Sequence, residues 1–158
     1  MQKCACIMAS VQVLTCSCTK QMDSTHQCIS KAADAVCKAL GSADYLENNF
    51  RVMLARELRR ELRRELRREL KIQGYEIYEE VVIPYIIDHI PFGHGFADIV
   101  VVTPEGSIIL ELKTTKKDCK RQLDKYMKHW KYNKLNGGAT INFVNDSVTT
   151  HFYTFSAN

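Results

Sequence analysis

The sequence predicts an α/β or α+β domain built around one sheet, and three observations carry that prediction. The apolar period changes near Tyr75, from helical spacing before it to strand-like spacing after it. Residues 97–102 (ADIVVV) and 107–113 (SIILELK) are β-rich, apolar on both faces and joined by the tight turn Thr103-Pro104-Glu105-Gly106. Such a hairpin belongs in a sheet covered on two sides. A helical stretch over 117–132 then precedes two further strands, 139–144 and 148–155, turned at Asn145-Asp146-Ser147. The order is one long helix, about three strands, a helix and two strands.

The 158 residues suit a single core. With 46% hydrophobic residues, 7 Gly and 3 Pro, collagen-like and disordered classes are excluded. Runs of about 18 apolar residues are absent, so no membrane span is expected. Lys and Arg number 22 against 18 Asp and Glu, a net charge of +4 that points to an anionic partner only if its location supports one.

Residues 1–40 are read as a Cys-rich leader ahead of a domain over 41–158. Six of the seven Cys fall in the first 37 residues, and the odd total argues against a closed disulfide framework. Cys4-x-Cys6 and Cys16-x-Cys18 have thiolate spacing that suits zinc, but a poorly ordered leader with reduced thiols is the preferred reading. Reduced thiols place the chain in an intracellular compartment. A signal peptide is disfavoured, because no A-x-A cleavage signal follows the weakly apolar stretch from Ala5 to Leu14. Residues 29–40 form a short amphipathic helix that stops before Gly41.

A long helix follows over 45–71. Asp44 and Glu47 have capping-box spacing at its start. Arg56 to Leu70 reads RELR-RELR-RELR-REL, rich in helix formers and free of Gly and Pro. Each Glu has an Arg three or four residues away. Leucines every four residues drift about 40° per repeat around the helix, a broad stripe for a core to wrap. Each unit carries only one net positive charge, so the repeat reads as a salt-bridged helix face rather than a nucleic-acid grip. From Tyr75 a strand runs to Ile83 and ends at Pro84, residues 85–90 form a second short strand, and 91–95 form a turn.

The hairpin register exposes an electrostatic problem. If the turn closes about Pro104-Glu105, Val102 faces Ser107, Val100 faces Ile109 and Asp98 faces Glu111. Two carboxylates then lie about 5 Å apart in an apolar hairpin. Lys113 shares their face but cannot offset both. A divalent cation can, and hard oxygen ligands suit Mg²⁺ or Mn²⁺.

Asp98 followed by Glu111-Leu112-Lys113 resembles the D…(D/E)-x-K signature of the PD-(D/E)XK nuclease superfamily. Gln122 and Tyr126 are similar to the Q-x-x-x-Y element of its RecB-like branch. Within the superfamily, the small GxxExxY proteins are most similar: Leu46-Glu47-Asn48-Asn49-Phe50 resembles their E-x-x-Y, with Phe50 in place of Tyr and Asp44 at the position of their Gly, and Ile141-Asn142-Phe143 resembles their late N-F strand. The resemblance covers about 44–155. It implies a restriction-endonuclease-like αβββαβ core, with a central mixed sheet flanked by helices and the first helix extended by the RELR repeat. The span from Glu47 to Gly74 exceeds the family pattern by three RELR units, which lengthens that helix by about 18 Å. A self-association surface along it is a further expectation.

The resemblance also implies a Mg²⁺- or Mn²⁺-dependent nuclease acting on nucleic acid, DNA before RNA. Asp98, Glu111 and the Leu112 carbonyl would hold the metal, Lys113 would orient or activate water, and Glu47 would add an outer contact. Gln122 and Tyr126 would position Lys113 or a phosphate. Residues 116–131 carry seven basic residues (Lys116, Lys117, Lys120, Arg121, Lys125, Lys128 and Lys131) against Asp118 and Asp124, a better phosphate track than the repeat. The alternative is a catalytically silent nucleic-acid-binding or protein-interaction module on the same fold.

Overall fold

The computed structural model describes residues 5–41, 47–69 and 75–155, with side chains in 22–41, 47–58 and 75–155. The Cys4–Cys18 thiols, the Asp44 cap and the repeat side chains beyond Leu58 lie outside those residues. Eight elements follow in order: α1 (Ala5–Leu40), α2 (Glu47–Glu69), β1 (Glu76–Ile87), β2 (Ile90–Thr103), β3 (Gly106–Lys113), α3 (Lys120–His129), β4 (Leu135–Val144) and β5 (Ser147–Thr154). The strands form one five-stranded sheet in the order β1-β2-β3-β4-β5. Only β3 and β4 run parallel, with α3 as their crossover, so the sheet is mixed.

The central strand explains the layers. Every residue of β3 from Gly106 to Leu112 is buried, and its side chains alternate between two cores. Ile108, Leu110 and Leu112 join Ile99, Val101, Ile141 and Phe143 under α1 and α2. Ile109 joins Val100, Tyr85, Leu123, Tyr126 and Met127 under α3. The sheet is thus sandwiched between two helices on one face and one on the other.

Helix α2 keeps a buried stripe of Phe50, Leu54 and Leu58, spaced four apart as a helix face requires. Phe50 packs on Phe143 at 4.7 Å between ring centroids and anchors the N-terminal turn over the sheet. Helix α1 contributes Ile29, Ala32, Ala33 and Val36, all fully buried, to the same core.

Several boundaries differ from the sequence expectation. β1 continues through Pro84 to Ile87, because β1 is an edge strand where a missing N–H costs no ladder bond. Its hairpin with β2 turns at Asp88-His89, both with positive φ, and residues 91–95 lie inside β2. Helix α3 is confined to Lys120–His129; Trp130 is already extended. Gly137 and Gly138 lie within β4, where the Tyr153 carbonyl leaves no room for a Cβ at Gly137.

One irregularity has no counterpart in the pattern of apolar residues. Ile77 packs with the α1/α2 core, but Val81, of the same parity on β1, packs with the α3 core; Ile99 and Ala97 on β2 do the same. Between them, Glu79 pairs with Ile99 and Val81 with Ala97, and Glu80 takes φ 51° opposite Asp98. The two strands exchange faces at Glu80 and Asp98.

Leu54→Ala should lower stability by about 2–5 kcal/mol in denaturant unfolding, whereas Val52→Ala on the exposed face of the same helix should change it by about 0.5 kcal/mol or less.

Candidate active site

The site forms where β2 leaves β3. Their ladder pairs Thr103 with Gly106, Val102 with Ser107, Val101 with Ile108, Val100 with Ile109 and Ile99 with Leu110, the register expected from the turn, and stops there. β3 continues beside β4 alone, Glu111 opposite Thr140 and Lys113 opposite Asn142. The Leu112 N–H therefore lacks a β2 carbonyl, and Asp98 Oδ2 accepts it at 2.8 Å. This bond ties the first β2 residue outside the ladder to the backbone between Glu111 and Lys113.

Glu111 is 1% exposed, and its Oε2 has no hydrogen-bond donor. Its Oε1 accepts from Lys113 Nζ at 3.2 Å. Burial, then the Asp98 charge, pushes the Glu111 carboxyl up to about 8. Burial also raises Asp98, against the Leu112 N–H and the Lys113 charge, which lower it. Lys113 Nζ lies 3.2 Å from Glu47 Oε1 as well. Burial opposes the Lys113 charge, but Glu111 and Glu47 outweigh it and raise the ammonium above its ordinary value. Glu47 reaches the sheet because it stands one turn before the anchored Phe50 on α2.

Gln122 and Tyr126 also come together. Gln122 Nε2 donates to the Tyr126 hydroxyl at 2.7 Å. Tyr85 packs with Tyr126 in the same core cluster, and both crowd Gly95. Both phenols are raised first by burial and feel the Glu111 charge, so the tyrosine pair borders the acids. The Lys113 ammonium is held by Glu47 and Glu111 rather than by Gln122 or Tyr126.

Three participants escaped the sequence reading. Tyr85 looked like the start of a short strand. Arg51, which the sequence reading does not single out, pairs with Glu80 Oε1 at 2.5 Å and lowers Asp98. Gly95 looked like turn punctuation, but a Cβ there would collide with the Tyr85 hydroxyl and the Tyr126 ring. Cys119, placed on the apolar stripe, is 3% exposed beside the site, and burial and Glu111 push its thiol up to about 11.

Among the described residues, no three His, Cys, Asp or Glu side chains form a ready-made metal cluster. The donor chemistry nevertheless fits a hard cation: two neighbouring carboxylates, with an unpartnered oxygen on buried Glu111 and the backbone of Leu112 tied to Asp98. On α3, Arg121, Lys125 and Lys128 are exposed, and Lys116, Lys117 and Lys131 flank it, also exposed; Lys120 is bound to Asp124 at 2.6 Å. Among the described residues, no helix is long and apolar enough to cross a membrane.

Residues 23–153 match the model of the PD-(D/E)XK nuclease superfamily, and the chain belongs to that superfamily. The mixed sheet between helix layers agrees with its restriction-endonuclease-like fold. No curated protein matches the chain. A solved structure titled "Crystal structure of SSO0001" is similar at a TM-score of 0.36 and 14% identity, covering 85% of this chain and 79% of that chain; a likeness so low carries no argument about activity.

In metal-free protein the folded state holds the Glu111 proton more tightly than the unfolded chain. Stability should be full below the ordinary value of 4.5 and fall as pH rises through about 8. Melting in chelator across that range should show the decline in wild type and a flatter profile in Glu111→Gln. Gly95→Ala should cost about 1–3 kcal/mol in denaturant unfolding by forcing the two tyrosines apart.

Proposed function

We propose that this chain is a divalent-metal-dependent nuclease that hydrolyses phosphodiester bonds of nucleic acid, with DNA the preferred substrate. Superfamily membership supports a nuclease in general. The observation that carries the finer reading is Glu111: a fully buried carboxylate with a free oxygen, raised to about 8 beside a second acid. A stable core has little use for such a pair, because each charge loses solvation and repels the other. A cation reverses the sign of that interaction.

Asp98, Glu111 and the Leu112 carbonyl would hold Mg²⁺ or Mn²⁺. When bound, the metal supplies Lewis-acid polarisation of the phosphate and a water of lowered pKa. The remaining chemistry falls to the side chains. Lys113, kept protonated by Glu111 and Glu47, serves as a cation and donor toward the phosphoryl oxygens rather than as a base. Glu47 orients Lys113 from the end of α2. The bond from Asp98 to Leu112 N–H fixes one acid relative to the strand that carries the other. Gln122 and Tyr126, joined by their own hydrogen bond, wall the site on the α3 side. The basic residues flanking and lining α3 give phosphates a path to that wall.

Purified protein should cleave DNA in Mg²⁺ or Mn²⁺ and not in chelator. Asp98→Asn, which keeps an acceptor for Leu112 N–H, and Lys113→Ala should each lower the rate at least about 100-fold without loss of fold. If wild type cleaves neither single- nor double-stranded DNA or RNA with either metal, the silent-module reading replaces this one.

A further inference from the structure

The outer half of the β1–β2 hairpin, beyond Asp98, is thinly covered for its apolar content. Ile87 is 56% exposed, Ile90 67%, and Phe92 and Phe96 52% each. Exposed large apolar side chains gathered on one hairpin draw attention to it as a contact surface.

Phe92 is placed there by a backbone device. Tyr85 pairs with Gly93, but Ile86 pairs with Pro91, so Phe92 is the unpaired residue of a bulge. Gly93 takes φ 152°, a conformation that side-chain-bearing residues rarely adopt. Bulges beside functional sites re-aim side chains. Here the Phe92 ring lies 5.9 Å from Tyr85 and 6.0 Å from His129, with half of its surface open to solvent. Tyr85 and His129 lie 5.1 Å apart and back it.

Cations rim this aromatic group. Lys125 Nζ sits 3.9 Å above the Tyr85 ring. Lys128 precedes His129 on α3 and Lys131 follows two residues after it; burial, and then the charges of Lys128, Lys125 and Lys131, hold His129 below its ordinary pKa. The group is also continuous with the candidate site, because Tyr85 packs with Tyr126 in one cluster, both converge on Gly95, and Tyr85 feels the Glu111 charge.

We propose that Phe92, backed by Tyr85 and His129, is a stacking platform for an unpaired nucleobase, with Lys125 and Lys128 taking the neighbouring phosphates, so that the substrate enters the site as a single strand. This rests on the nuclease reading above and names its substrate class. An exposed ring among cations matches alternating bases and phosphates. In a duplex the base faces are already stacked on one another and have no surface to offer such a ring.

The test separates binding from cleavage. In chelator, fluorescence anisotropy compares labelled oligothymidylate, an abasic strand of equal length and charge, a duplex of equal length and oligouridylate. Wild type should bind oligothymidylate more tightly than the abasic strand or the duplex. Phe92→Ala should weaken oligothymidylate binding about 10-fold or more and leave the abasic strand unchanged, with Phe92→Trp restoring it. Lys125→Ala and Lys128→Ala should weaken both strands alike. Equal, Phe92-dependent binding of oligouridylate supports a platform that accepts both nucleic acids. Equal affinity of wild type and Phe92→Ala for oligothymidylate, at unchanged melting temperature, overturns the proposal, as does tighter binding of the duplex. Phe92-dependent binding without cleavage in Mg²⁺ or Mn²⁺ would leave the platform standing and remove the nuclease reading. Cleavage of duplex and single strand alike, untouched by Phe92→Ala, would do the reverse.

Discussion

The ladder between β2 and β3 stops at Ile99 and Leu110, and the site grows out of that gap. A sheet strand normally gives its N–H to the neighbouring strand's carbonyl. At Leu112 the neighbour has turned away, and the Asp98 carboxylate takes the N–H instead. Divergence also leaves the end of β3 without β2 beside it, although only Lys113 there reaches partial exposure. Glu111 is consequently carried to the edge of the core by a strand that the core itself holds in place. The acids are close because the hairpin register makes them so, and the register is held by Val100, Val101, Ile108 and Ile109, which would all change faces if the strands slipped by one residue.

The same divergence organises the hairpin. Where the ladder to β3 ends, Glu80 takes a positive φ and the β1–β2 ribbon exchanges faces. Past that point the residues that would have faced α1 and α2 turn toward α3, which delivers Tyr85 to Tyr126. Gly95 makes the approach of those two rings feasible. Arg51 reaches across from α2 to Glu80, so the exchange is tethered to the helix that also supplies Glu47. Acid pair, lysine and tyrosine pair are therefore consequences of one interruption in β pairing rather than separate constructions.

How much of this the sequence disclosed follows from the kind of information each feature needs. The opposition of Asp98 and Glu111 needs only a turn and a parity count, and Thr103-Pro104-Glu105-Gly106 supplies the turn. The two-sided burial of β3 shows in SIILELK, where apolar residues occupy both parities. The face exchange at Glu80 is invisible, because Glu is common at exposed strand positions and a positive φ leaves no mark on composition. Pro84 read as a strand end because the edge position that tolerates it is a property of the whole sheet. The turn at Asp88-His89 lacks the Gly that usually marks such a conformation. Roles drawn from single residue types fared by context. Lys113 was recognisable from its spacing to Glu111. The contribution of Arg51 depends on a partner in another element.

Net charge is a weak guide here, and its distribution explains why. The RELR units add charge one at a time along α2, each softened by its own Glu. The cations around α3 are more concentrated, but one of them, Lys120, is bound to Asp124 and so is a weaker anchor for phosphate. What distinguishes Lys125 is not its charge but its seat on the Tyr85 ring, which fixes a flexible side chain beside an aromatic group. A phosphate-binding lysine that is already ordered loses less entropy on binding than one free in solvent. Electrostatic attraction to the chain can come from any of its basic residues. In the proposed mode of binding, aligning a strand with Asp98, Glu111 and Lys113 would call for a cation whose position the fold has already set, and Lys125, on the tyrosine side of the gap, is such a cation.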